Sequence, residues 1–189
     1  MSASRPLDPH PELWAALEHG RRLRVILEDF YEQVYADPRL APFFARTTKS
    51  WAIDHQYAFL GEILSGTDMF FGDRPRNAHH WMVIDDALFD YREELMMKTL
   101  ERHGLTAEQR AEWRAIEEVF RSHIVKSEPR PLVRAGKTLP LEGYDAIALS
   151  SGGLCDFCSS VIAIGAIARY HVRTGHVYCD ACFERKNSD

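Results

Sequence analysis

The chain has 189 residues and a mass of 21.7 kDa, room for one ordinary domain or for one domain and a small appendage. Apolar residues make up 46% and charged residues 27%, the balance of a soluble globular protein, and no apolar run approaches the roughly 20 residues of a transmembrane helix. A net charge of −5 argues against a general polyanion binder, because nothing in the overall balance draws the chain toward phosphate.

The segment Met1 to His10 is polar, so neither a secretory signal nor a membrane anchor is expected, and the protein is expected to be cytoplasmic with reduced cysteines. From Pro11 to Ser127 the pattern is helical. Leu13, Trp14 and Leu17, then Leu23, Ile26, Leu27, Phe30, Tyr31 and Val34, recur at spacings of three and four and predict one apolar stripe ended by Asp37-Pro38. Ala52, Gln56, Phe59, Leu60 and Ile63 give a second stripe, stopped at Ser65-Gly66. A loop with Gly72 and Pro75 follows, then a short helix through His79 and another from Asp85 to about His103. Thr106 with Gln109 is a capping box for a last helix, which is expected to reach about Lys126 with Trp113, Ile116, Val119, Phe120 and Ile124 inward.

Residues 128–150 break any periodicity with Pro129, Pro131, Gly136, Pro140 and Gly143, and are expected to be a linker. Beyond them, Val161 to Ile167 and Ala168 to Cys179 read as short strands joined by a turn at Arg173-Thr174-Gly175. The expected division is therefore a helical domain over 11–127, a linker over 128–150 and a small module over 151–189.

The chemistry of the helical part centres on His79 and what precedes it: Phe30-Tyr31, Phe43-Phe44, Gln56, Phe59-Leu60. Any one of these alone is a half-buried tyrosine, a surface glutamine or a core histidine. Together they are what an iron porphyrin needs: one imidazole for the metal, apolar side chains around the ring, and hydrogen-bond donors for a bound gas.

The order and the local segments "DFYEQVYADPRLAPFF", "HQYAFLGEILSG" and "RNAHHWMVIDDALFD" resemble the group I truncated haemoglobins, over roughly residues 11 to 125. The resemblance implies a mainly α fold, the short two-over-two helical globin, carrying haem b and binding O₂, NO and CO. It implies His79 as the proximal iron ligand, Tyr31 and Gln56 as the distal donors, and Phe44 against the ring. Ala52, Phe59, Leu60, Ile84 and Phe89 complete the pocket. Ala52 stands where the family often has a distal histidine. His80 is expected to point away from the iron. Two departures stand out: the family's glycine pair between its first helices is reduced to His19-Gly20, and Arg92 occupies an aliphatic pocket position. Arg76, with Arg74 and His55, is the candidate partner for the haem propionates.

All four cysteines lie after residue 150, as Cys155-x-x-Cys158 and Cys179-x-x-Cys182 separated by twenty residues. Two such knuckles around a hairpin place four thiolates tetrahedrally about Zn²⁺ in a closed, structural site, and the module resembles a zinc ribbon or treble clef. The rival reading, a thioredoxin-like redox pair, needs a single CxxC in a βαβ unit, and no such pattern is present. Over residues 150–189, Arg169, Arg173, Arg185 and Lys186 balance Asp156, Asp180, Glu184 and Asp189, so nucleic acid is not the expected partner; protein contact, self-association or stabilisation of the globin is expected instead. Three functions are then open. The first is a gas-binding haem protein, either an oxygen carrier or an NO dioxygenase served by an external reductase. The second is a haem-based sensor signalling through the zinc module, and the third is a haem-less globin-fold interaction protein.

Overall fold

The computed structural model describes residues 7–134, 137–150 and 152–186. The first apolar stripe runs across a break in the helix. α1 (Pro11–Ala16) begins on its proline and gives way to a 3₁₀ turn at Glu18–Gly20, after which α2 (Arg21–Ala36) starts afresh. Glu18, His19 and Gly20 all take positive φ, at 51°, 51° and 98°. A side chain on Gly20 would also put its Cβ 2.5 Å from the Tyr57 hydroxyl and 2.7 Å from Trp14, so glycine is required there on both counts. His19-Gly20 thus makes the break between the first two helices.

α2 buries Leu23, Ile26, Leu27, Phe30, Tyr31 and Val34 and ends at Asp37, whose extended backbone is the conformation Pro38 imposes. A 3₁₀ turn over Ala41–Phe44 leads to α3 (Lys49–Ser65), which Thr48 caps through the Trp51 amide and Gly66 stops at φ 73°. α4 (Pro75–Ala78) is one turn long. α5 (Asp86–Arg102) starts on an Asp85 cap, and α6 (Ala107–Glu118) carries both halves of the Thr106–Gln109 capping box. The final helix is shorter than its periodicity implied: it breaks at Val119-Phe120 and resumes only as α7 (Arg121–Ile124). Leu17, Leu23, Ile26, Leu27, Leu64, Met96, Leu100 and Trp113 are all buried in one core, and each contributes about 1.5–3 kcal/mol of burial.

The described residues fall into two compact units. One consists of Met1–Arg76 with Met82–Ser127, the other of Asn77–Trp81 with Glu128–Asp189. The second unit holds β1 (Leu132–Arg134), β2 (Lys137–Leu139), β3 (Tyr144–Ala148), β4 (Gly153–Leu154), β5 (Val161–Ile162), β6 (Ile167–His171), β7 (Val177–Tyr178) and α8 (Asp180–Lys186). β3, β6 and β7 form an antiparallel sheet in that order, with Tyr144 opposite His171 and Arg169 opposite Tyr178; β1–β2 and β4–β5 are separate hairpins.

This differs from the linker expected over 128–150. Pro131, Pro140 and Gly143 flank three short strands rather than a structureless stretch, and β3 is an integral strand of the sheet. The strand expected from Val161 to Ile167 is likewise only two residues long, because Gly165 at φ 78° turns the chain. The turn at Arg173-Thr174-Gly175 lies between β6 and β7, with Gly175 at φ 72° donating to the His171 carbonyl at 2.8 Å.

Candidate functional site

α2 and α3 bring together the two polar side chains expected on the distal side of a haem. The Tyr31 hydroxyl donates to Gln56 Oε1 at 2.5 Å. Phe30 and Phe44 meet the Tyr31 ring edge-on, with centroids 5.3 Å and 5.7 Å away, so the phenol is fixed on two sides. Burial pushes the Tyr31 phenol up from its ordinary value, which keeps it protonated and able to donate. Its proton is spent on Gln56, so the Gln56 NH₂ is the donor left for a ligand. Ala52 and Leu60 are buried on α3, while Phe59 is half-buried and packs edge-on against Phe70 and Phe120. Phe89 is buried under the Arg121 guanidinium, 4.3 Å from its ring centre, and Ile84 is half-buried with its carbonyl taking the Lys126 amide at 2.9 Å.

His79 lies in a turn directly after α4 rather than within a helix, and is half-buried. His80 is buried. Its Nδ1 lies 3.1 Å from the Arg130 carbonyl, its own carbonyl accepts from the Arg130 amide at 2.6 Å, and its Nε2 is buried without a hydrogen-bond partner. The next residue, Trp81, carries the Arg173 guanidinium 4.0 Å over its ring. Nothing in the periodicity marks these three contacts, because their partners lie about fifty to ninety residues further along the chain.

Four basic side chains expected near the haem have other engagements or none described. Arg92 pairs with buried Glu117 and lies 4.8 Å over the Phe30 ring, where its charge also acts on the neighbouring Tyr31 phenol and opposes the rise that burial causes. Arg74 is bonded to Glu62 at 2.5 Å. Arg76 is exposed. His55 stacks on Trp51 at 4.4 Å and meets Phe70 edge-on. Glu62, which no sequence motif marks, organises the loop before α4: it accepts from the Met69 and Phe70 amides at 3.2 Å and 2.9 Å as well as from Arg74. Burial opposes its charge, yet the Phe70 amide and Arg74 outweigh that cost and hold its carboxyl below the usual range. The available signal was a charged residue between Leu60 and Ile63 on an otherwise apolar helix face.

The four thiols form a second site. None is in a disulfide, and their sulfurs all lie within 4.8 Å of one another. Cys158 and Cys179 are 3.8 Å apart. A Zn–S bond of about 2.3 Å places the sulfurs of a tetrahedron about 3.8 Å from each other, so the cluster has the size of a four-thiolate metal site. The knuckles are built locally: Ser159 at φ 59° lets its amide reach the Cys155 carbonyl at 2.8 Å, and the Cys182 amide donates to the Cys179 carbonyl at 3.1 Å. Asp156 ties them together by accepting from the Val177 amide at 2.6 Å. The Ser160 hydroxyl brings the Cys158 thiol down to about 6, whereas burial pushes Cys182 up to about 12.

The model of the bacterial-like globins matches residues 13–126. This chain belongs to that family. Its relatives include the group 1 truncated hemoglobin GlbN of Synechocystis, 34% identical over 94 residues that make up 48% of this globin and 76% of that protein. The group 1 truncated hemoglobin LI410 of Chlamydomonas moewusii is 30% identical over 96 residues, 50% of this chain and 56% of its own. Among solved structures, the 2/2 hemoglobin of Synechococcus, described with covalently attached heme, superposes with a TM-score of 0.54 at 28% identity, covering 59% of this chain and 94% of that one. The truncated hemoglobin of Tetrahymena pyriformis gives 0.57 at 25% identity, covering 61% and 98%. The mainly helical truncated-globin fold expected from the sequence is therefore present, with a small β-hairpin region and its four cysteines after it, and the family implies a haem-binding, gas-binding globin. Among the described residues, no helix is long and apolar enough to cross a membrane.

Proposed function

We propose that residues 11–127 of this globin hold haem b through His79 and bind O₂, NO and CO beside Tyr31 and Gln56. The observation that carries the reading is the Tyr31–Gln56 hydrogen bond set against the rings of Phe30 and Phe44. The donor set fits the group: a half-buried imidazole, a protonated phenol, one carboxamide and a largely apolar surround. Haem, when bound, supplies an iron that takes a diatomic gas and, with O₂ and NO, supports conversion of NO to nitrate. In this reading Gln56 donates its NH₂ to the gas and Tyr31 holds the amide in that orientation. Phe44, Ala52, Phe59, Leu60, Ile84 and Phe89 contact the ring and exclude water, and Arg76 offers its charge to a propionate. The sequence carries no GxGxxG fingerprint for a flavin or nicotinamide, so turnover draws its electrons from an external reductase.

His80 offers a second reading of the ligand, because its Nδ1 faces a carbonyl and its Nε2 is buried and unbonded, the tautomer of many metal-bound imidazoles. His79 is preferred, since His80 is tied to Arg130 through both its ring and its backbone. We also assign Zn²⁺ to Cys155, Cys158, Cys179 and Cys182, on the strength of the sulfur spacing, as a structural site in the unit that holds β3, β6 and β7.

The test is direct. Purified protein should show a Soret band that shifts on reduction and again under CO, contain one zinc per chain, and with a reductase system convert NO to nitrate. Gas binding without nitrate formation would leave oxygen carriage or sensing. A chain that takes up no haem would be an interaction protein of globin fold.

A further inference from the structure

The residues next to His79 belong to the second unit. Asn77–Trp81 cluster with Glu128–Asp189, and the chain returns to the globin unit only at Met82. The local backbone gives this segment little support of its own. α4 is a single turn that stops at Ala78, and residues 79–81 form a turn anchored by the His80 amide on the Asn77 carbonyl at 3.1 Å. A long helix would hold an imidazole at this position through its i→i−4 ladder. Here the holding contacts come from far along the chain. His80 and Arg130 exchange two contacts, one through the His80 ring and one through its carbonyl, and Arg173 lies over Trp81. Arg173 is itself fixed, 84% covered on the turn after β6 and 3.3 Å from Glu142.

We propose that the C-terminal unit positions the iron ligand. The His80–Arg130 pair and the Arg173–Trp81 stack fix the backbone directly after His79, and so set the tilt and reach of its imidazole toward a haem. His80, Trp81, Arg130 and Arg173 are positioning residues; none is placed against haem or gas. The proposal rests on the reading of His79 as the ligand. It extends that reading by making the folded state of the four-cysteine module a control on the proximal bond. Coupling of this kind is reciprocal, so haem binding must in turn steady the 128–134 segment.

The test uses the full-length chain. Resonance Raman of the ferrous, unliganded protein reads the iron–imidazole stretch, and hydrogen exchange reads the Arg130 amide with and without haem. Arg130→Pro removes the amide that His80 accepts from, and Arg173→Ala removes the stack. Both are expected to shift the stretch and to change the CO dissociation rate severalfold, while haem slows exchange at Arg130 in the wild type. Should either substitution abolish amide protection in β3 and β6, Trp81→Phe, which keeps a ring and loses part of its face, should shift the band in the same direction by less. A stretch and a CO rate equal to wild type in variants with intact β3–β6 protection would overturn the proposal, with the haem reading untouched. A wild-type protein without the band, or a band that persists in His79→Ala, would overturn the ligand assignment and this proposal with it.

Discussion

Replacing Tyr31 by Phe tests the distal pocket with the smallest change in shape. The hydroxyl makes one described hydrogen bond, to Gln56 at 2.5 Å, and the ring is held independently by Phe30 and Phe44, so phenylalanine fills the same space. What is lost is the orientation of the Gln56 amide. A neutral hydrogen bond is worth about 0.5–1.5 kcal/mol net, and about 1.4 kcal/mol is a factor of ten, so O₂ should leave about 2- to 13-fold faster. Tyr31→Phe with Gln56→Leu removes the donor as well as the hydroxyl that orients it and should raise the rate further, by less than the product of two full effects because the residues form one unit. Stopped-flow displacement of O₂ by CO measures this directly. Because burial raises the phenol above its ordinary value of 10, the wild-type rate should show no Tyr31 titration below that pH. An unchanged off-rate in the double variant would refute the assignment of these residues to the distal side.

Three further outcomes follow from the same geometry. Glu62 is held below its unfolded value of 4.5, so it stabilises the loop before α4 above that pH and loses the contribution as pH falls through its lower folded value; Glu62→Gln should cost about 1–3 kcal/mol in a urea melt at neutral pH and flatten that acid dependence. Glu117→Ala would strand Arg92 beside Phe30 and should cost about 3 kcal/mol in thermal unfolding, whereas a silent substitution would mean that Arg92 finds water. Chelation should release zinc, and in the metal-free protein iodoacetamide should reach Cys158, exposed and brought down to about 6, well before buried Cys182 at about 12; peptide mass mapping after a short pulse gives the order.

The parts of the fold legible in the sequence are those whose cause is local. The stripe through Leu23, Ile26, Phe30 and Val34, the Thr106–Gln109 box and the stop at Gly66 each depend on residues a turn or two apart. The cysteine cluster is legible for the same reason, since each CxxC fixes half of it. The strands in 128–150 were hidden because three-residue strands are too short to show a period, and because β3 acquires its partner, β6, only near residue 170. Arg92 could be placed on a helix but its pairing could not, since Glu117 lies one helix further on. The contact of His80 with Arg130 has no local signal either, since its partner lies fifty positions along the chain. Each miss is a tertiary contact that outranked a local signal.

The membership of residues 77–81 also has a temporal side. Synthesis adds roughly 5–20 residues per second from the N-terminus, and domains tend to fold as they emerge. All the elements of the helical core, through α7, are synthesised before Arg130, Arg173 or the last cysteine knuckle. For about 2–10 s a nascent chain therefore has its helical segments but not Arg173, the neighbour of Trp81. Over that interval the histidine segment is the unfinished edge of an otherwise complete globin, and the order of events, knuckles closing before or after the prosthetic group arrives, becomes a property written into the gene's direction of reading.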